Sequence, residues 1–451
     1  MSAEGQRVAR ELQRTYRGRA WREEHPDDQR GLHDSAVEER TVLIASLGCS
    51  AVEEADRLTE MRDLLDTAGA TVVHRVVQHR DRPDPRLYLG RGRLDELVDW
   101  VKENTPDLIA CEGDLSAGQQ RHLEDRLKTR VVDRTGIILD IFALHARSAE
   151  GKLQVELAQL EYSYSRQEGL WQHLERLGGG VGTRGPGESQ LESDRRMIRS
   201  RMGVLRARIA EVAKSRDTMR EERLASSVTR VALAGYTNAG KSSLMNALTG
   251  AHVDVNDALF ETLDATTRAF QKDGMKVLVS DTVGFIRHLP HQLVDAFRST
   301  LEEVRDAHLI IHVADASEHD EGRAARSAAV EEVLDEIGAH EIPRLLVLNK
   351  VDLLDDEERD ALARRHPQAV MTSAITGEGL DDLRDRLLAT ARARWERVEL
   401  EVPYARGDVI SAVYAHGRDV SQDAGPEGTV IRALMPPADA ARVRALLASA
   451  R

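Results

Sequence analysis

Residues 228–243 read VTRVALAGYTNAGKSS, which is an apolar, strand-like run followed by a glycine-rich turn and the start of a helical pattern. A G-x-x-x-x-G-K-S turn between a strand and a helix is typical of a phosphate-binding P-loop. Its glycines let backbone N–H groups surround phosphate oxygens, and the helix N-terminus adds a partial positive charge. The pattern therefore predicts a phosphate site rather than a turn that merely packs, with these contact residues: Gly235, Tyr236, Thr237, Asn238, Ala239, Gly240, Lys241, Ser242 and Ser243.

The stretch DTVG at residues 281–284 supplies the second part of a nucleotide site. In a P-loop, Lys241 can reach the β- and γ-phosphates and the Ser242 hydroxyl can ligate Mg²⁺. A carboxylate at Asp281 can hold Mg²⁺ through water, and the Gly284 N–H can meet the γ-phosphate. We predict that Lys241 and Gly284 are catalytic and that all four residues of the stretch contact the nucleotide: Asp281, Thr282, Val283 and Gly284.

A third stretch, NKVD at residues 349–352, follows a short apolar run and indicates which base is bound. A carboxylate at Asp352 can accept from both N1–H and the exocyclic amine of guanine, whereas adenine offers neither donor in that arrangement. The Lys350 stem can cover the base, and Asn349 can bond to the base and brace the P-loop. A backbone N–H at residues 373–374 can meet guanine O6. The predicted base contacts are Asn349, Lys350, Val351, Asp352, Ser373 and Ala374.

A threonine that senses the γ-phosphate and ligates Mg²⁺ is expected between the P-loop and residue 281. Residues 260–267 read FETLDATT and offer three candidates. We favour Thr262 as both metal ligand and catalytic residue, and Thr266 and Thr267 remain open. Loops that are ordered by the γ-phosphate and released on hydrolysis form a two-state switch. The predicted nucleotide contacts in this segment are Phe260, Glu261, Thr262 and Leu263.

The residue after the DTVG stretch departs from the pattern of Ras-type enzymes, which place a water-orienting glutamine there. In this chain the position holds Phe285, whose side chain can neither donate nor accept a hydrogen bond. We include it among the catalytic positions as a hydrophobic replacement of the usual glutamine. The substitution predicts a slow GTPase in which a partner, or another group of the chain, positions the attacking water.

The patterns around the P-loop predict an α/β protein with four parts after a charged, mobile tail at residues 1–40. Strand-like and helical runs alternate over residues 41–149, which predicts a parallel sheet covered by helices, with residues 136–143 as its last strand. Apolar residues spaced by three and four over residues 150–226 predict an antiparallel helical hairpin. Residues 227–394 predict a doubly wound P-loop GTPase domain, and residues 395–451 predict a small C-terminal α/β domain.

The hairpin has a distinctive tip and a basic second helix. Residues 178–187, from Gly178 to Gly187, read GGGVGTRGPG and cannot continue a helix. The whole chain has a net charge of −14, yet residues 151–230 carry 15 Lys and Arg against 11 Asp and Glu. Phosphate contacts and a solvated face with intrahelical ion pairs are both compatible with this run of arginines: Arg195, Arg196, Arg199, Arg201, Arg206 and Arg208.

Composition limits the cellular setting. No apolar run approaches the length of about 18 residues that a membrane-spanning helix needs, and the polar N-terminus lacks the apolar core of a cleaved signal. The two cysteines, Cys49 and Cys111, are too few for a disulfide framework and predict buried thiols in a reducing compartment. We expect a cytoplasmic monomer with no membrane span.

Motifs throughout the chain resemble the HflX family of ribosome-associated GTPases. YLGRG at residues 88–92, DRTGIILDIF at 133–142, GKLQVELAQL at 151–160 and GTRGPGE at 182–188 are similar to that family's N-terminal region and linker. The resemblance implies GTP hydrolysis with GTP/GDP and Mg²⁺, binding to the large ribosomal subunit, and splitting or rescue of stalled ribosomes. It also implies that the tip at residues 178–187 and the helix from Arg195 to Arg208 meet ribosomal RNA.

Two other functions remain open at this point. One is an ATP-dependent remodeller of RNA or ribosomes with a second nucleotide site in the N-terminal domain, where GRGR at residues 90–93 is the suggestive motif. A turn before the next helix is the simpler interpretation of those four residues. The other is a binding module that uses GTP only for order.

Overall fold

The computed structural model describes residues 39–177, 186–224, 228–250, 259–260, 265–272, 275–287 and 298–449. The predicted tail, except for its last two residues, lies outside the described residues. So does the hairpin tip up to residue 185, together with Glu261, Thr262 and Leu263. None of the helices within the described ranges is both long and apolar enough to cross a membrane.

The N-terminal domain (residues 39–145) is a four-stranded parallel sheet in the order β2-β1-β3-β4, with helices on its faces. The central strands consist mainly of aliphatic and β-branched residues and are buried; in β1, every residue from Thr41 to Leu47 is buried. The elements are β1 (Glu39–Leu47), α1 (Ala51–Thr67), β2 (Ala70–His79), α2 (Arg91–Asn104), β3 (Leu108–Cys111), α3 (Ala117–Leu127), β4 (Arg130–Asp133) and α4 (Arg134–His145).

The prediction of a strand at residues 136–143 is wrong, because these residues lie in α4. The last strand is the preceding β4, and the Asp133 side chain caps α4 by accepting the Gly136 N–H at 3.0 Å. Almost every residue of α4 up to Phe142 is buried, so its apolar run has no polar face that would reveal the helical period. Only glycine suits position 136, since a Cβ there would lie 2.7 Å from a Val132 methyl and 2.8 Å from the Tyr162 hydroxyl.

Two long helices, α5 (Ala149–Leu177) and α6 (Pro186–Leu224), form the predicted hairpin and pack against each other. Met202 and Leu205 of α6 are buried, while Val155 and Tyr162 of α5 belong to the apolar core that includes Phe142 of α4. Helix α5 also packs on α3 and α4, so one arm of the hairpin is anchored to the N-terminal domain.

The P-loop domain (residues 228–393) has a six-stranded sheet in the order β10-β9-β8-β5-β7-β6. All neighbouring pairs are parallel except β6 and β7. Strand β6 was not predicted, because only Phe270 of that strand is buried and no apolar run marks it. The elements are β5 (Thr229–Gly235), α7 (Lys241–Thr249), β6 (Thr266–Lys272), β7 (Met275–Asp281), α8 (Arg298–Arg305), β8 (Leu309–Asp315), α9 (Asp320–Glu336), β9 (Arg344–Asn349), a short 3-10 turn (Val351–Leu353), α10 (Asp356–Arg365), β10 (Val370–Met371) and α11 (Leu380–Ala393).

The C-terminal domain (residues 396–449) is a three-stranded antiparallel sheet in the order β11-β13-β12, packed against two helices. Strand β12 was not predicted because it is an edge strand of polar, mostly exposed residues. The elements are β11 (Glu396–Pro403), α12 (Gly407–His416), β12 (Arg418–Ala424), β13 (Gly428–Met435) and α13 (Pro437–Ala448). With this domain, the predicted α/β fold class is confirmed.

One hydrophobic core runs across the boundary between the N-terminal and P-loop domains. It joins Met61 of α1 and Phe142 of α4 to Phe260, Phe285 and Leu301 of the P-loop domain. Buried apolar area of this kind contributes about 25 cal/mol per Å². The N-terminal domain is therefore packed against the edge of the P-loop domain that carries the predicted phosphate contacts.

Candidate nucleotide site

The predicted P-loop lies between the end of β5 and the start of α7. Its turn needs two left-handed residues, Asn238 at φ 59° and Gly240 at φ 84°. At Gly235, a Cβ would collide with the Val313 carbonyl oxygen, and at Gly240 it would collide with the Asn349 amide. The glycine spacing is thus required by close backbone approaches to β8 and β9, and it leaves the turn open toward the N-terminus of α7.

Lys241 is buried at the base of this turn and is 7% exposed. Its Nζ donates to the carbonyl oxygens of Gly235 at 3.0 Å and Tyr236 at 2.8 Å. Burial lowers the pKa of Lys241 to about 8, and the nearby Asp281 carboxylate opposes that shift. A phosphate beside this amine would supply the negative charge that a buried ammonium group needs.

The two predicted metal ligands that the structure describes are in contact. The Ser242 hydroxyl donates to Asp281 Oδ2 at 2.6 Å, and Asp281 is 1% exposed at the end of β7. Hydroxyl and carboxylate oxygens suit Mg²⁺, which usually takes few protein ligands beside phosphate and water. Within the described residues there is no cluster of three or more His, Cys, Asp or Glu that could hold a metal alone. The donor set therefore fits a magnesium–nucleotide complex better than a free metal ion.

The DTVG stretch passes directly beside the P-loop. A Cβ at Gly284 would lie 2.7 Å from the Thr237 side chain and 3.1 Å from Lys241 Nζ, so only glycine fits without displacement. Thr282 is fully buried, and its hydroxyl donates to the Leu233 carbonyl at 2.7 Å. Val283 is buried in the core shared with the N-terminal domain. This arrangement brings the backbone of Gly284 close to the amine predicted to bind the terminal phosphates.

Phe285 is fully buried, and its ring belongs to the core shared by the two domains. Its backbone forms a bridge to the P-loop, because its N–H donates to the Gly235 carbonyl at 3.1 Å and its carbonyl accepts from Thr237 at 2.8 Å. The side chain at this position therefore packs, while the main chain ties the two loops together.

Asn349 connects the base end of the site to the P-loop. Its Nδ2 donates to the Ala239 carbonyl at 3.0 Å, and its Oδ1 accepts from the Ala374 N–H at 3.2 Å. The Ser373 N–H donates to the Glu378 carbonyl at 3.0 Å. Both N–H groups that were predicted to face guanine O6 are thus used inside the protein. The Ala374 N–H can reach a base only by sharing or exchanging its bond.

Asp352 and Lys350 flank the space beyond β9. Lys350 adopts φ 67° and its Nζ pairs with Asp315 Oδ2 at 2.7 Å, while Val351 is fully buried beneath them. Asp352 Oδ1 is buried and has no hydrogen-bond partner among the described residues. An acceptor held in this state is costly unless a donor meets it, and guanine N1–H and its amine are donors of the required kind.

Of the predicted switch segment, the structure describes only its two ends. Phe260 is buried at φ 59° and contacts Phe142 of α4 edge to face, with ring centroids 4.6 Å apart. Thr266 and Thr267 lie in β6, and the Thr267 hydroxyl bonds to that of Ser280 at 2.8 Å. The favoured residue, Thr262, lies outside the described residues.

Sequence reasoning missed three residues that approach the P-loop from elsewhere. Glu60 of α1 accepts from the Tyr236 hydroxyl at 2.6 Å, and it is paired with Arg134 of α4. The Arg287 N–H donates to the same hydroxyl at 2.8 Å. No short-range signal could have identified Glu60, because it is separated from Tyr236 by 176 positions.

The hairpin uses most of its predicted RNA-binding arginines for its own packing. Arg195 and Arg199 both donate to the Tyr164 hydroxyl, and two more pair with glutamates of α5: Arg201 with Glu156 at 2.7 Å and Arg206 with Glu161 at 2.7 Å. Arg199, Arg201 and Arg206 nevertheless stay exposed, as do the other two members of the run, Arg196 and Arg208. The basic face of α6 is therefore exposed, but part of its charge is neutralised by glutamates of α5.

The GRGR motif has a structural explanation. Gly90 is the N-cap of α2, and its N–H donates to Gln78 Oε1 at 2.7 Å. The remaining three residues form the first turn of that helix. The motif therefore begins α2 itself, and the predicted turn before the helix is wrong for residues 91–93, which are helical.

Three family models match the chain in order. They are a GTP-binding GTPase N-terminal region at residues 55–143, a GTP-binding GTPase middle region at residues 145–223 and a 50S ribosome-binding GTPase at residues 230–350. A GTP-binding protein from Sulfolobus solfataricus, solved with GDP, aligns with 78% of this chain and 98% of its own at 24% identity and a TM-score of 0.42.

Relatives of known family match nearly end to end. The GTPase HflX of Lacrimispora saccharolytica is 41% identical over 403 residues, covering 89% of this chain and 94% of its own. The GTPase HflX of Escherichia coli is 43% identical over 365 residues, covering 80% and 85%. Similarity to one set of proteins therefore extends over most of the chain, and not over the P-loop domain alone. The chain belongs to the HflX family of P-loop GTPases, which hydrolyse GTP.

Proposed function

We propose that GTP binds with its phosphates on the turn at residues 235–242 and its guanine at residues 349–352 and 373–374. The observation that carries the base assignment is the buried Asp352 Oδ1, which has no protein partner among the described residues. Mg²⁺ would be held by Ser242, by Thr262 and, through water, by Asp281. When bound, that ion neutralises charge on the β- and γ-phosphates.

Hydrolysis at this site depends on positioning and charge rather than on covalent catalysis. Lys241 brings a positive charge to the terminal phosphates from a buried position, and the Gly284 N–H is close enough to follow the γ-phosphate. Phe285 cannot orient water, because its ring is buried in the core. The group that orients the attacking water is therefore expected from a bound partner, which makes hydrolysis slow in its absence.

The partner we propose is the large ribosomal subunit in the cytoplasm, and the output is splitting or rescue of stalled ribosomes. The match to a 50S ribosome-binding GTPase model supports that partner. The hairpin supports a mechanical output, since α5 is packed on the N-terminal domain while α6 leads toward β5 and the P-loop. GTP would hold the hairpin against ribosomal RNA at residues 178–187, and GDP would release it.

The test is to measure GTP and ATP turnover with and without purified large subunits while following the ratio of free subunits to intact ribosomes. We expect large subunits to stimulate GTP turnover and the GTP-bound protein to raise the proportion of free subunits. ATP turnover that survives Lys241→Ala would instead support a second nucleotide site. Splitting with a non-hydrolysable GTP analogue, without stimulated turnover, would leave hydrolysis as a recycling step.

The role of the hairpin can be tested separately. Deletion of residues 178–187 should leave GDP affinity within about twofold and abolish stimulation by large subunits. The double variant Arg196→Gln/Arg208→Gln should weaken subunit binding, because these arginines are exposed. Its matched control is Arg364→Gln/Arg442→Gln, which removes two exposed charges from other domains. Equal loss in both double variants would show a general charge effect and contradict the assignment of the hairpin.

A further inference from the structure

The P-loop contains a tyrosine whose hydroxyl forms a hydrogen bond to another domain. The Tyr236 hydroxyl donates to Glu60 Oε2 of the N-terminal domain at 2.6 Å. It also accepts from the Arg287 N–H at 2.8 Å, two residues beyond Phe285. Tyr236 is 5% exposed and Glu60 is 9% exposed, so both bonds are shielded from water. A single phenol therefore joins three segments that are far apart in the chain.

Arg134 completes this arrangement. It forms a buried ion pair with Glu60, with side chains 8% and 9% exposed, and its Nη2 also donates to the Arg287 carbonyl at 3.3 Å. Both polar backbone groups of Arg287 are thereby held, the N–H by Tyr236 and the carbonyl by Arg134. The chain that leaves the DTVG stretch is fixed by the N-terminal domain as well as by its own sheet.

Other charged groups surround the tyrosine. The Arg326 guanidinium lies 5.1 Å from the centre of the Tyr236 ring, and the Arg287 side chain is 4.0 Å from an Asp56 carboxylate oxygen. Burial, and then the Glu60 carboxylate, raise the pKa of Tyr236 well above its usual range, so the phenol remains protonated and able to donate.

Joining two domains through buried charged groups carries a desolvation cost. A buried ion pair often contributes no more to stability than apolar residues of the same volume, and phenylalanine would fill the space of the tyrosine ring. The surrounding interface is apolar and already joins the domains. What the polar groups add is a defined orientation of the two domains, because each hydrogen bond fixes the position of one atom relative to another.

The backbone of Tyr236 connects this fixed domain orientation to the phosphate site. Its carbonyl accepts from Lys241 Nζ at 2.8 Å, and the residue is bridged to Phe285 beside it. A displacement of Tyr236 therefore moves both the anchor of the catalytic amine and the neighbouring Gly284. We propose that Tyr236 is a positioning residue for GTP hydrolysis, through which Glu60 and Arg134 of the N-terminal domain fix the P-loop against the chain that follows Gly284.

The inference rests on GTP hydrolysis at the proposed site and does not depend on ribosome splitting. The test uses the full-length chain with Tyr236→Phe, which removes only the hydroxyl, and Glu60→Gln, which keeps the shape of the acceptor. We expect each variant to lower kcat for GTP about tenfold and to leave KM and GDP affinity within twofold. In the double variant, kcat should fall no further, because both changes weaken the same link between Tyr236 and Glu60.

The matched control is Tyr162→Phe. The Tyr162 hydroxyl also donates to a buried carboxylate, Asp133 Oδ1 at 2.6 Å, but its partner is the cap of α4 and not Glu60. This variant should lower thermal stability by an amount similar to Tyr236→Phe and leave kcat unchanged. An equal fall in kcat in the control would overturn the inference, as would unchanged kcat in Tyr236→Phe or a loss confined to KM. Absence of GTP turnover in the unaltered chain, with and without large subunits, would contradict the proposed function instead.

Discussion

The two ends of the nucleotide site are built differently. At the guanine end, every contact described for Asn349, Lys350 and Asp352 comes from the P-loop domain itself. At the phosphate end, Tyr236 and Phe260 contact side chains of the N-terminal domain, through Glu60 and Phe142. In the proposed site, base recognition thus belongs to one domain, whereas the geometry of hydrolysis is shared between two.

This difference is relevant to regulation. The base is the same in GTP and GDP, so the groups that recognise it have no need to respond to hydrolysis. The terminal phosphate is the part that changes, and the neighbouring segments are those in contact with the second domain. The proposed role of Tyr236 therefore predicts that a force on the N-terminal domain or the hairpin alters hydrolysis without altering which nucleotide is bound.

The sharpest test of the guanine end is Asp352→Asn, for which we expect the largest effect. The amide can accept from only one of the two guanine donors and presents its own N–H₂ to the other, so GTP affinity should fall about 100-fold. Xanthosine triphosphate carries a carbonyl in place of the amine and should bind more tightly to the variant than GTP does. Competition binding against labelled GDP measures both affinities.

The control for that variant is Asp356→Asn, which removes an exposed carboxylate four residues further along the chain. It should leave the preference for GTP over xanthosine triphosphate unchanged. If Asp352→Asn also kept that preference, the guanine end would have to lie elsewhere.

Gly240→Ala tests the contact that joins the phosphate end of the site to the guanine end. Gly240 has φ 84°, and a Cβ would collide with the Asn349 amide that links β9 to the P-loop. Left-handed strain costs about 1–2 kcal/mol for a non-glycine residue, and the collision adds to it. We expect GTP and GDP affinity to fall together by more than tenfold, measured by calorimetry.

A matched variant separates strain from collision. Gly250 at the end of α7 also has a left-handed φ of 68°, but a Cβ there meets nothing within 4 Å. Gly250→Ala should cost similar folding stability and keep GDP affinity within about twofold. Equal loss of affinity in both variants would show that strain in α7, and not the contact with Asn349, limits binding.

Acidification tests the sheet beneath the guanine end and has the smallest expected effect. His312 on β8 is 6% exposed and lies 3.3 Å from Glu331; burial, and then Arg344, lower its pKa to about 4. Because its usual pKa is about 6.5, the unfolded chain binds more protons between these values, and stability falls as the pH drops from 6.5 toward 4. At pH 5.5 the loss attributable to this residue is about 1 kcal/mol.

Urea unfolding of the unaltered chain and of His312→Gln at pH 7.5 and pH 5.5 measures that loss. The stability advantage of histidine over glutamine should shrink by about 1 kcal/mol at the lower pH. An advantage that stays constant would mean that the imidazole is already solvated, and that the sheet under Lys350 is looser than the structure shows.

The sequence alone determined the chemistry that we propose for the site. The positions of Lys241, Asp281 and Asn349 follow from short motifs, because Asp281 and Asn349 end strands and Lys241 begins the helix that follows β5. The alternation of strands and helices likewise indicated the fold class. The helix at residues 134–145 and the edge strands β6 and β12 were missed, because burial on all sides, or on almost none, removes the periodic signal.

Tertiary structure decided which distant residues complete the nucleotide site and which predicted RNA-contact residues are used in contacts within the protein. Glu60 and Arg134 meet Tyr236 only because the N-terminal domain packs on the P-loop domain, and no local pattern encodes a contact across 176 positions. The same holds for Arg199 and Arg206, which pair with α5 once the hairpin closes. Local motifs specify chemistry because their atoms are bonded neighbours, whereas contacts between distant segments depend on how whole apolar faces are buried together.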